Sequence, residues 1–486
     1  MTRIKEKASF NTFEEESVLL KKYVGNRAFY RMAMTVALPM MIQNAVTNFV
    51  SLLDNIMVGR VGTLQMSGVS VVNQLLFVYN LCIFGAVAGA GIFTAQFYGQ
   101  KDDEGIRQTF RFKILICAII GALGIAVLFF CGDGLIGLYL KGEATPAERA
   151  ATLEYGRKYL AVMLVGLVPF TINNAYSSSM RETGQTVVPM ASGLVAVGVN
   201  LFLNYVLIFG KLGAPALGVV GAAIATVVSR YAELGVNAVW LHKNHKRYPY
   251  IRGVYRSMRI ALPLLKRIII KGFPLLINET LWSASVAVLN QCYSTRGLIV
   301  VAANNISATL WNLFSVCFIS LGSATGIIIG QMLGAGKSAD EVRDCDRKLI
   351  AFSVVSCAVF GAAMAAISGV FPLIYKTDSA VRSLATSMIC INAVIMPFDA
   401  YANASYFTLR SGGKTVSTLL FDSCFVWVVG VPAAFLLSRF TNIPILPLYA
   451  ICQGTEILKC VVGFFMVRSD SWINNMVKSH PEEAAR

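Results

Sequence analysis

Three carboxylates stand inside stretches of sequence that are otherwise strongly apolar: Asp54, Glu279 and Asp399. Burying a charged side chain among apolar groups is costly, so each carboxylate is a candidate functional group. Asp54 has no basic residue within one helical turn, since Arg60 is six positions further on. Asp399 follows Pro397, and a carboxylate in a proline-interrupted helix is typical of a polar cavity. The alternative for Asp54 is a carboxylate near an aqueous interface that simply reaches water.

Neutral oxygen atoms could complete a cation site around Asp54. Asn200 and Asn204 are four residues apart and share one helix face, and Thr226 in the next apolar segment could face them. Carboxylate, amide and hydroxyl oxygens suit a hard cation, so this pattern predicts sodium at Asp54, Asn200, Asn204 and Thr226. The alternative is that the Asn and Thr side chains make ordinary hydrogen bonds between helices.

Glu279 and Trp282 are three residues apart and lie on the same helix face. A carboxylate beside an aromatic ring can bind an organic cation by charge and by cation–π attraction. The alternative is a Glu at headgroup level with an interfacial Trp. A second predicted sodium site would use Glu279 and Asp399.

The remaining charges in apolar segments indicate structural roles. Arg230 with Glu233, and Glu456 with Lys459, are spaced three residues apart, so each pair can neutralise itself on one helix face. Asp422 has no local partner in the sequence, and its role stays open.

Composition indicates which elements must position these groups. The chain has 486 residues, 56% of them hydrophobic and 14% charged, with a mean hydropathy of +0.63. These values are typical of a polytopic membrane protein. Apolar stretches of about 20 residues can cross a bilayer. Twelve such stretches lie near 33–57, 68–97, 113–138, 153–179, 188–210, 218–241, 272–295, 302–332, 349–374, 383–409, 416–438 and 445–467.

The sequence also repeats itself. Residues 168–186 and 396–415 both run from Pro-Phe to Arg-x-x-Gly-x-Thr, and Ala37-Leu-Pro39 is echoed by Gly272-Phe-Pro274. We therefore predict an all-α polytopic membrane protein with twelve transmembrane helices in two six-helix lobes related by a pseudo-twofold axis. The predicted organisation is an N-terminal segment 1–30, an N-lobe 31–242, a basic linker 243–271, a C-lobe 272–467 and a tail 468–486.

Charge placement predicts the orientation. Lysines and arginines are concentrated in the N-terminal segment and in the linker, whereas most opposite loops carry isolated cations. The positive-inside rule therefore places both termini in the cytoplasm. The net charge of +16 is spread over one side of the bilayer, so nucleic-acid binding is not expected. The linker is expected to rest against anionic lipid.

Enzymatic motifs are missing from the sequence. There is no P-loop, no HExxH and no nucleophile elbow, so we predict no enzyme, no cofactor and no direct use of ATP. The three His lie outside the apolar segments, which excludes a histidine relay inside the membrane. The eleven Cys are mostly scattered singly, so neither a disulfide framework nor a zinc site is expected.

Several motifs in this order resemble the multidrug and toxic compound extrusion (MATE) transporters. They are Ala37-Leu-Pro39, Leu53-Asp-Asn-Ile-Met-Val-Gly59, Gln96-Phe-Tyr-Gly99, Arg181-Glu-Thr-Gly-Gln-Thr186, Asn200-Leu-Phe-Leu-Asn204, Gly221-Ala-Ala-Ile-Ala-Thr226 and Arg410-Ser-Gly-Gly413. The resemblance covers about residues 30–475. It implies two six-helix lobes around a central cavity, and export of small amphipathic or cationic organic compounds driven by inward sodium ions or protons. It also implies a monomer in a prokaryotic cell membrane.

The resemblance extends to individual residues. Asp54 matches the acidic residue of helix 1, Asp399 matches the helix-10 Asp of NorM-like members, and Glu279 resembles their helix-7 Glu. Asn204 departs from the pattern, because many prokaryotic members carry Asp there. That difference shifts weight in ion coupling toward Glu279 and Asp399.

Two other functions remain open. A lipid-linked oligosaccharide flippase would have a related fold but would need cationic side chains for a pyrophosphate group, and the candidate residues here are acidic. A non-transport membrane scaffold would not need unpaired acids in both halves.

Overall fold

The computed structural model describes residues 22–140, 145–375 and 377–478, and within this part the chain forms twelve long helices and no strand. The first six are α1 (Arg27–Gly59), α2 (Thr63–Gln100), α3 (Asp103–Tyr139), α4 (Pro146–Glu182), α5 (Val187–Phe209) and α6 (Val219–Lys243). The next six are α7 (Leu262–Ser294), α8 in two segments (Leu298–Phe314 and Val316–Gly334), α9 (Ala339–Ile367), α10 (Ser379–Ser411), α11 (Thr415–Phe440) and α12 (Ile445–Arg468). Eleven helical segments of the described chain are long and apolar enough to cross a membrane; α1 and the first segment of α8 are not among them.

The twelve predicted apolar stretches correspond to these helices, but several boundaries differ from the predictions. Helix α3 begins at Asp103 rather than at residue 113, and α9 spans Ala339–Ile367 rather than 349–374. Helix α7 begins at Leu262 rather than at residue 272. Its first turns carry Lys266, Arg267 and Lys271, and the Arg267 guanidinium lies 5.7 Å from the centre of the Phe93 ring of α2. Helix α8 is interrupted at Ser315, in the middle of the predicted 302–332 stretch.

Local sequence explains where several helices start and bend. Asp102 caps α3 by accepting from the backbone N–H of Glu104 and of Gly105, both at 3.0 Å. Thr145 and Glu148 form a capping box at the start of α4. Prolines lie inside four helices, at matching places in the two halves of the sequence, and each removes one backbone hydrogen-bond donor. They are Pro39 in α1, Pro169 in α4, Pro274 in α7 and Pro397 in α10.

The described chain divides into two compact units. The N-terminal unit is Pro39–Ala284, and the C-terminal unit consists of the described residues of Met1–Leu38 and Ser285–Arg486. Helices α1 and α7 are each divided between the units, and the first division falls at Pro39.

Close helix packing in the N-terminal unit depends on small residues. A Cβ added at Gly89 of α2 would lie 2.4 Å from the Cα of Gly272 in α7, so only glycine fits this crossing. The core around α2, α4 and α6 is built from apolar side chains such as Val72, Ile83 and Leu167.

The segment between α6 and α7 folds against the N-terminal unit. Its Tyr250 and Ile251 are buried with Phe110 of α3. Arg107 and Arg111 of α3 hold its backbone: the Arg107 Nε donates to the Tyr250 carbonyl at 3.1 Å, and the Arg111 Nε donates to the Val254 carbonyl at 3.0 Å. This part of the linker is therefore anchored, while its predicted contact with lipid stays a prediction.

In the C-terminal unit the tail after α12 folds back in a comparable way. Trp472 is fully buried, and its Nε1 donates to the Val467 carbonyl at 2.8 Å. A Cβ at Gly412 would lie 1.6 Å from the Trp472 carbonyl oxygen, so the turn after α10 must be glycine for the tail to dock. Arg343 of α9 adds an ion pair with Asp470 at 2.6 Å.

Candidate functional site

Asp54, Asn200, Asn204 and Thr226 converge inside the N-terminal unit, from α1, α5 and α6. The Asn204 Nδ2 donates to Asp54 Oδ1 at 2.6 Å. Asn200 lies one turn away on the same face of α5, between Asn204 and Thr226. The predicted grouping of these four residues is therefore present.

The amide of Asn200 can face this cluster in two ways, related by a half turn. In one orientation its oxygen accepts from the Asn204 Nδ2 at 3.0 Å. In the other its nitrogen donates to both Asp54 oxygens, at 2.9 and 3.3 Å, and its oxygen accepts from the Thr226 hydroxyl at 3.3 Å. The second orientation satisfies both the Asp54 carboxylate and the Thr226 hydroxyl, so the amide nitrogen of Asn200 faces Asp54.

The cluster is enclosed by protein. Asn200 is 5% exposed and Asn204 is 1% exposed. The Asn204 Oδ1 is buried and accepts no hydrogen bond from any of the described residues. Arg230 of α6 lies within electrostatic range of Asp54 and is itself paired with Glu233 at 3.3 Å. This contact confirms the predicted Arg230–Glu233 pair.

Glu279 and Trp282 lie on the part of α7 that belongs to the N-terminal unit. The Glu279 side chain packs beside Gly85 of α2, where an added Cβ would lie 3.4 Å from the Glu279 Cγ. Trp282 is 41% exposed. Glu279 and Asp399 belong to different units, so the structure does not assign them to one sodium site.

Asp399 lies on α10 of the C-terminal unit, two residues after Pro397. It is within electrostatic range of Glu456 and Lys459 of α12. The Lys459 Nζ donates to Asp422 Oδ1 of α11 at 2.7 Å and lies 3.6 Å from the Glu456 carboxylate. Asp399 therefore belongs to a cluster of three acids and one lysine.

The interpretation of Glu456 and Lys459 as a self-contained pair is wrong in one respect, because the nearer partner of Lys459 is Asp422. Sequence spacing could not reveal this contact, since Asp422 is on another helix. One sequence feature could have indicated that α12 makes polar contacts with other helices: Tyr449, Gln453 and Glu456 recur on one face of α12.

That polar face continues toward the start of α12. The Tyr449 hydroxyl donates to Asn392 Oδ1 at 2.9 Å, and the Gln453 Nε2 donates to the same oxygen at 2.8 Å. The Asn392 Nδ2 in turn donates to the Ser307 hydroxyl of α8 at 3.1 Å. Sequence reasoning missed this network, which joins α8, α10 and α12 through buried hydrogen bonds.

The cluster around Asp54 offers oxygen ligands for a cation. The described residues contain no group of three or more His, Cys, Asp or Glu that could hold a metal ion. A cation near Asp54 would therefore draw its remaining ligands from the amide oxygens of Asn200 and Asn204 and the hydroxyl of Thr226, a donor set that fits sodium.

The MatE family model matches two successive stretches of this chain, residues 39–206 and 274–436. The second match begins at Pro274, the counterpart of Pro39 in the repeat. The match to both stretches confirms the internal duplication.

Curated relatives share the whole length of the chain. A probable multidrug resistance protein NorM of Thermotoga maritima is 23% identical over 443 residues, which are 90% of this chain and 92% of the relative. The multidrug resistance protein MdtK of Edwardsiella ictaluri is 25% identical and covers 85% of this chain and 88% of its own.

Solved structures show the same fold. A crystal structure of MATE in complex with MaL6 superposes with a TM-score of 0.82 at 20% identity, covering 93% of this chain and 98% of the other. A MOP superfamily transporter from Pyrococcus furiosus, whose described binding pocket has reverse polarity, gives 0.81 at 19% identity. These matches confirm the predicted all-α, twelve-helix membrane fold. With two thirds of its length matched by the family model, the chain is a multi-pass membrane protein that belongs to the MatE family.

Proposed function

We propose that this protein is a secondary active antiporter that exports small amphipathic or cationic organic compounds in exchange for inward sodium ions or protons. The curated relatives named above are multidrug resistance proteins, which supports this class of cargo. The observation that carries the coupling is the Asp54 cluster, where one carboxylate is surrounded by neutral groups instead of a fixed counter-ion at contact distance.

The Asp54 cluster has the geometry of a reversible cation site. When Asp54 is ionised and no external cation is bound, the amide nitrogens of Asn204 and Asn200 donate to the carboxylate and stabilise its charge. When a cation arrives, a half turn of an amide replaces its nitrogen with its oxygen. The change from donor to acceptor needs only side-chain rotation, so the site can serve a sodium ion or a proton.

Glu279 and Trp282 support recognition of the organic cargo. Trp282 exposes 41% of its surface and lies one turn beyond the Glu279 carboxylate on the same helix face. A cationic amphiphile can use both the negative charge and the aromatic ring.

Coupling by alternating access requires that the cation and the cargo favour different conformations of the protein. A ligand with equal affinity for both conformations would shift nothing, however tightly it bound. Competition for the carboxylates makes binding of the two ligands mutually exclusive, because a cationic compound and the coupling cation cannot both neutralise the same negative charge.

Transport into sealed vesicles tests the proposal. Protein reconstituted into liposomes receives a sodium gradient alone, then a pH gradient alone, with a fluorescent organic cation as cargo. We expect gradient-driven accumulation with at least one of the two ions, and its loss in the Asp54→Asn variant. Asp133→Asn is the matched control, because Asp133 is an exposed acid of α3 that pairs with Arg157.

Three outcomes would contradict the proposal. Accumulation without any gradient would indicate uncoupled leakage, and full transport by Asp54→Asn would remove the carboxylate from the mechanism. Movement of a lipid-linked oligosaccharide, with no flux of the organic cation, would favour a flippase.

We further propose that the chain acts as a monomer with both termini in the cytoplasm, as its cation placement indicates. Reporter fusions at each terminus, one active only in the cytoplasm and one active only outside it, test the orientation. Light scattering of the detergent-purified protein tests the monomer.

A further inference from the structure

Lys459 is the buried cation of the C-terminal unit's acidic cluster. Its side chain is 9% exposed, beside Asp422 at 17% and Glu456 at 20%. The ammonium is 2.7 Å from Asp422, 3.6 Å from Glu456 and 5.7 Å from the centre of the Phe421 ring. It therefore bridges acids from two different helices.

The backbone of α11 is unusual at the point of contact. Residues Leu420–Cys424, which include Asp422, form a π-helical turn, and a second one follows at Val426–Gly430. Such wide turns are rare, appear mostly as single turns inside α-helices and are frequent at functional sites. Here the turn carries the acid that binds Lys459.

One ammonium cannot neutralise this cluster. Asp399, Asp422 and Glu456 contribute three negative charges when ionised and Lys459 contributes one positive charge, so the formal sum is −3 + 1 = −2. Among the described residues, Cys357, Cys460 and Tyr449 also lie within electrostatic range of Asp399. Thiols and phenols are ordinarily neutral near pH 7 and add no positive charge. Because a net charge is costly in this setting, the acids must take up external cations.

We propose that Lys459 is a positioning residue that acts as a built-in counter-cation: it occupies Asp422 and thereby sets how tightly Glu456 and Asp399 bind the coupling cation. This inference rests on the proposed antiport function. A lysine is suited to the role, because its ammonium is a compact point charge on a flexible stem with three donors. When an external cation binds Glu456 and Asp399, Lys459 keeps its contact with Asp422; when that cation leaves, the ammonium is near enough to stabilise Glu456.

Charge counting predicts opposite effects for the two halves of the Asp422–Lys459 pair. Lys459→Gln leaves three acids without a cation, so the external cation should bind about tenfold more tightly. Asp422→Asn frees Lys459 to pair with Glu456 and Asp399, so the external cation should bind about tenfold more weakly. The double variant keeps two acids and no lysine, which restores the formal charge of −2 and should bring binding back near its starting value.

The test measures cation binding without cargo or flux. Full-length protein that carries Asp54→Asn is purified in detergent, so that cation binding at the N-terminal cluster does not contribute to the measured melting temperature. This protein is the background protein. The melting temperature is followed against sodium chloride at fixed pH, with choline chloride holding the ionic strength, and then against pH. The half-effective cation concentration is the concentration that gives half of the maximal change in melting temperature. It is compared among the background protein, Lys459→Gln, Asp422→Asn, the double variant and Lys459→Arg.

Opposite shifts in the two single variants, with recovery in the double variant and in Lys459→Arg, would support the proposal. A purely structural ion pair would lower the melting temperature of both single variants but leave the half-effective concentration unchanged, and that result would overturn it. If Lys459→Gln does not fold, the half-effective cation concentrations of Asp422→Asn and of the double variant test the proposal. A background protein whose melting responds to neither ion would also overturn the inference. Absence of gradient-driven transport by the protein that keeps Asp54, together with these shifts, would instead contradict the proposed function alone.

Discussion

The two units keep acidic groups among apolar helices by different physical means. In the N-terminal cluster the acid Asp54 is stabilised by neutral amides, and Arg230, which lies within electrostatic range, is paired with Glu233. In the C-terminal unit three acids surround one buried ammonium, and Asp422 is bound by it at 2.7 Å. The amide dipoles beside Asp54 can rotate when a cation binds or leaves, whereas the Lys459 ammonium is covalently attached and always stays in its cluster.

This difference teaches how a duplicated fold can acquire two functions. Both halves match the same family model and carry prolines at equivalent places, so the frame is shared. The acids and their partners are not shared. Under the proposals made above, the N-terminal cluster would exchange its cation completely, whereas the C-terminal cluster would keep Lys459 as a permanent counter-ion.

The largest expected effect is the loss of coupling in Asp54→Asn. No second acid lies in the cluster to replace the carboxylate, so gradient-driven accumulation should fall to the level of protein-free vesicles. The measurement is uptake of the fluorescent cation under each gradient, with Asp133→Asn as the control. Retained coupling would show that the C-terminal cluster works alone, and the contrast between the units would lose its functional meaning.

A second prediction compares the two ion pairs by stability. Lys459→Gln should cost about 3 kcal/mol of unfolding free energy, because it leaves buried carboxylates without their cation. Arg230→Gln should cost less, about 1 to 2 kcal/mol, because Arg230 is 35% exposed, although the Glu233 that it leaves behind is 8% exposed. Chemical unfolding in detergent micelles measures both values. Equal costs would mean that the pairs have the same role despite their different burial.

A third prediction addresses redundancy among the acids of the C-terminal unit. Asp399→Asn should weaken binding of the coupling cation about tenfold rather than abolish it, since Glu456 remains beside Lys459. The concentration of sodium, or of protons, that gives half-maximal transport measures the change. A complete loss equal to that of Asp54→Asn would indicate that Asp399 acts without help from Glu456.

The smallest expected effect comes from placing an acid at position 204 of α5. Asn204→Asp places a second carboxylate at hydrogen-bonding distance from Asp54, where the pair can share one proton. Because that shared proton takes over part of the amide's role, we expect only a several-fold tighter binding of the coupling cation. The same half-maximal measurement reports it, with Asn204→Gln as the neutral control. Weaker binding would show that the amide nitrogen of Asn204 is itself required.

Much of the fold follows from local properties of the chain. Twelve apolar stretches predicted twelve helices, because a segment in hydrocarbon must satisfy its own backbone hydrogen bonds. Asn200 and Asn204 could be assigned to one face by their spacing, and the pairing of Arg230 with Glu233 followed from a separation of three residues. Such contacts lie within one helix, where sequence distance and spatial distance agree.

The sequence by itself determined the membrane class, the helices, the repeat and the family resemblance, since these depend on hydropathy and on residue order. Only the tertiary structure decided that Asp422 binds Lys459 from another helix and that Asn392, Tyr449 and Gln453 form one network. It also decided that the Asp54 carboxylate meets the amides of α5. The physical reason is that polar groups in apolar surroundings find partners by the packing and rotation of whole helices, which one-dimensional spacing does not specify.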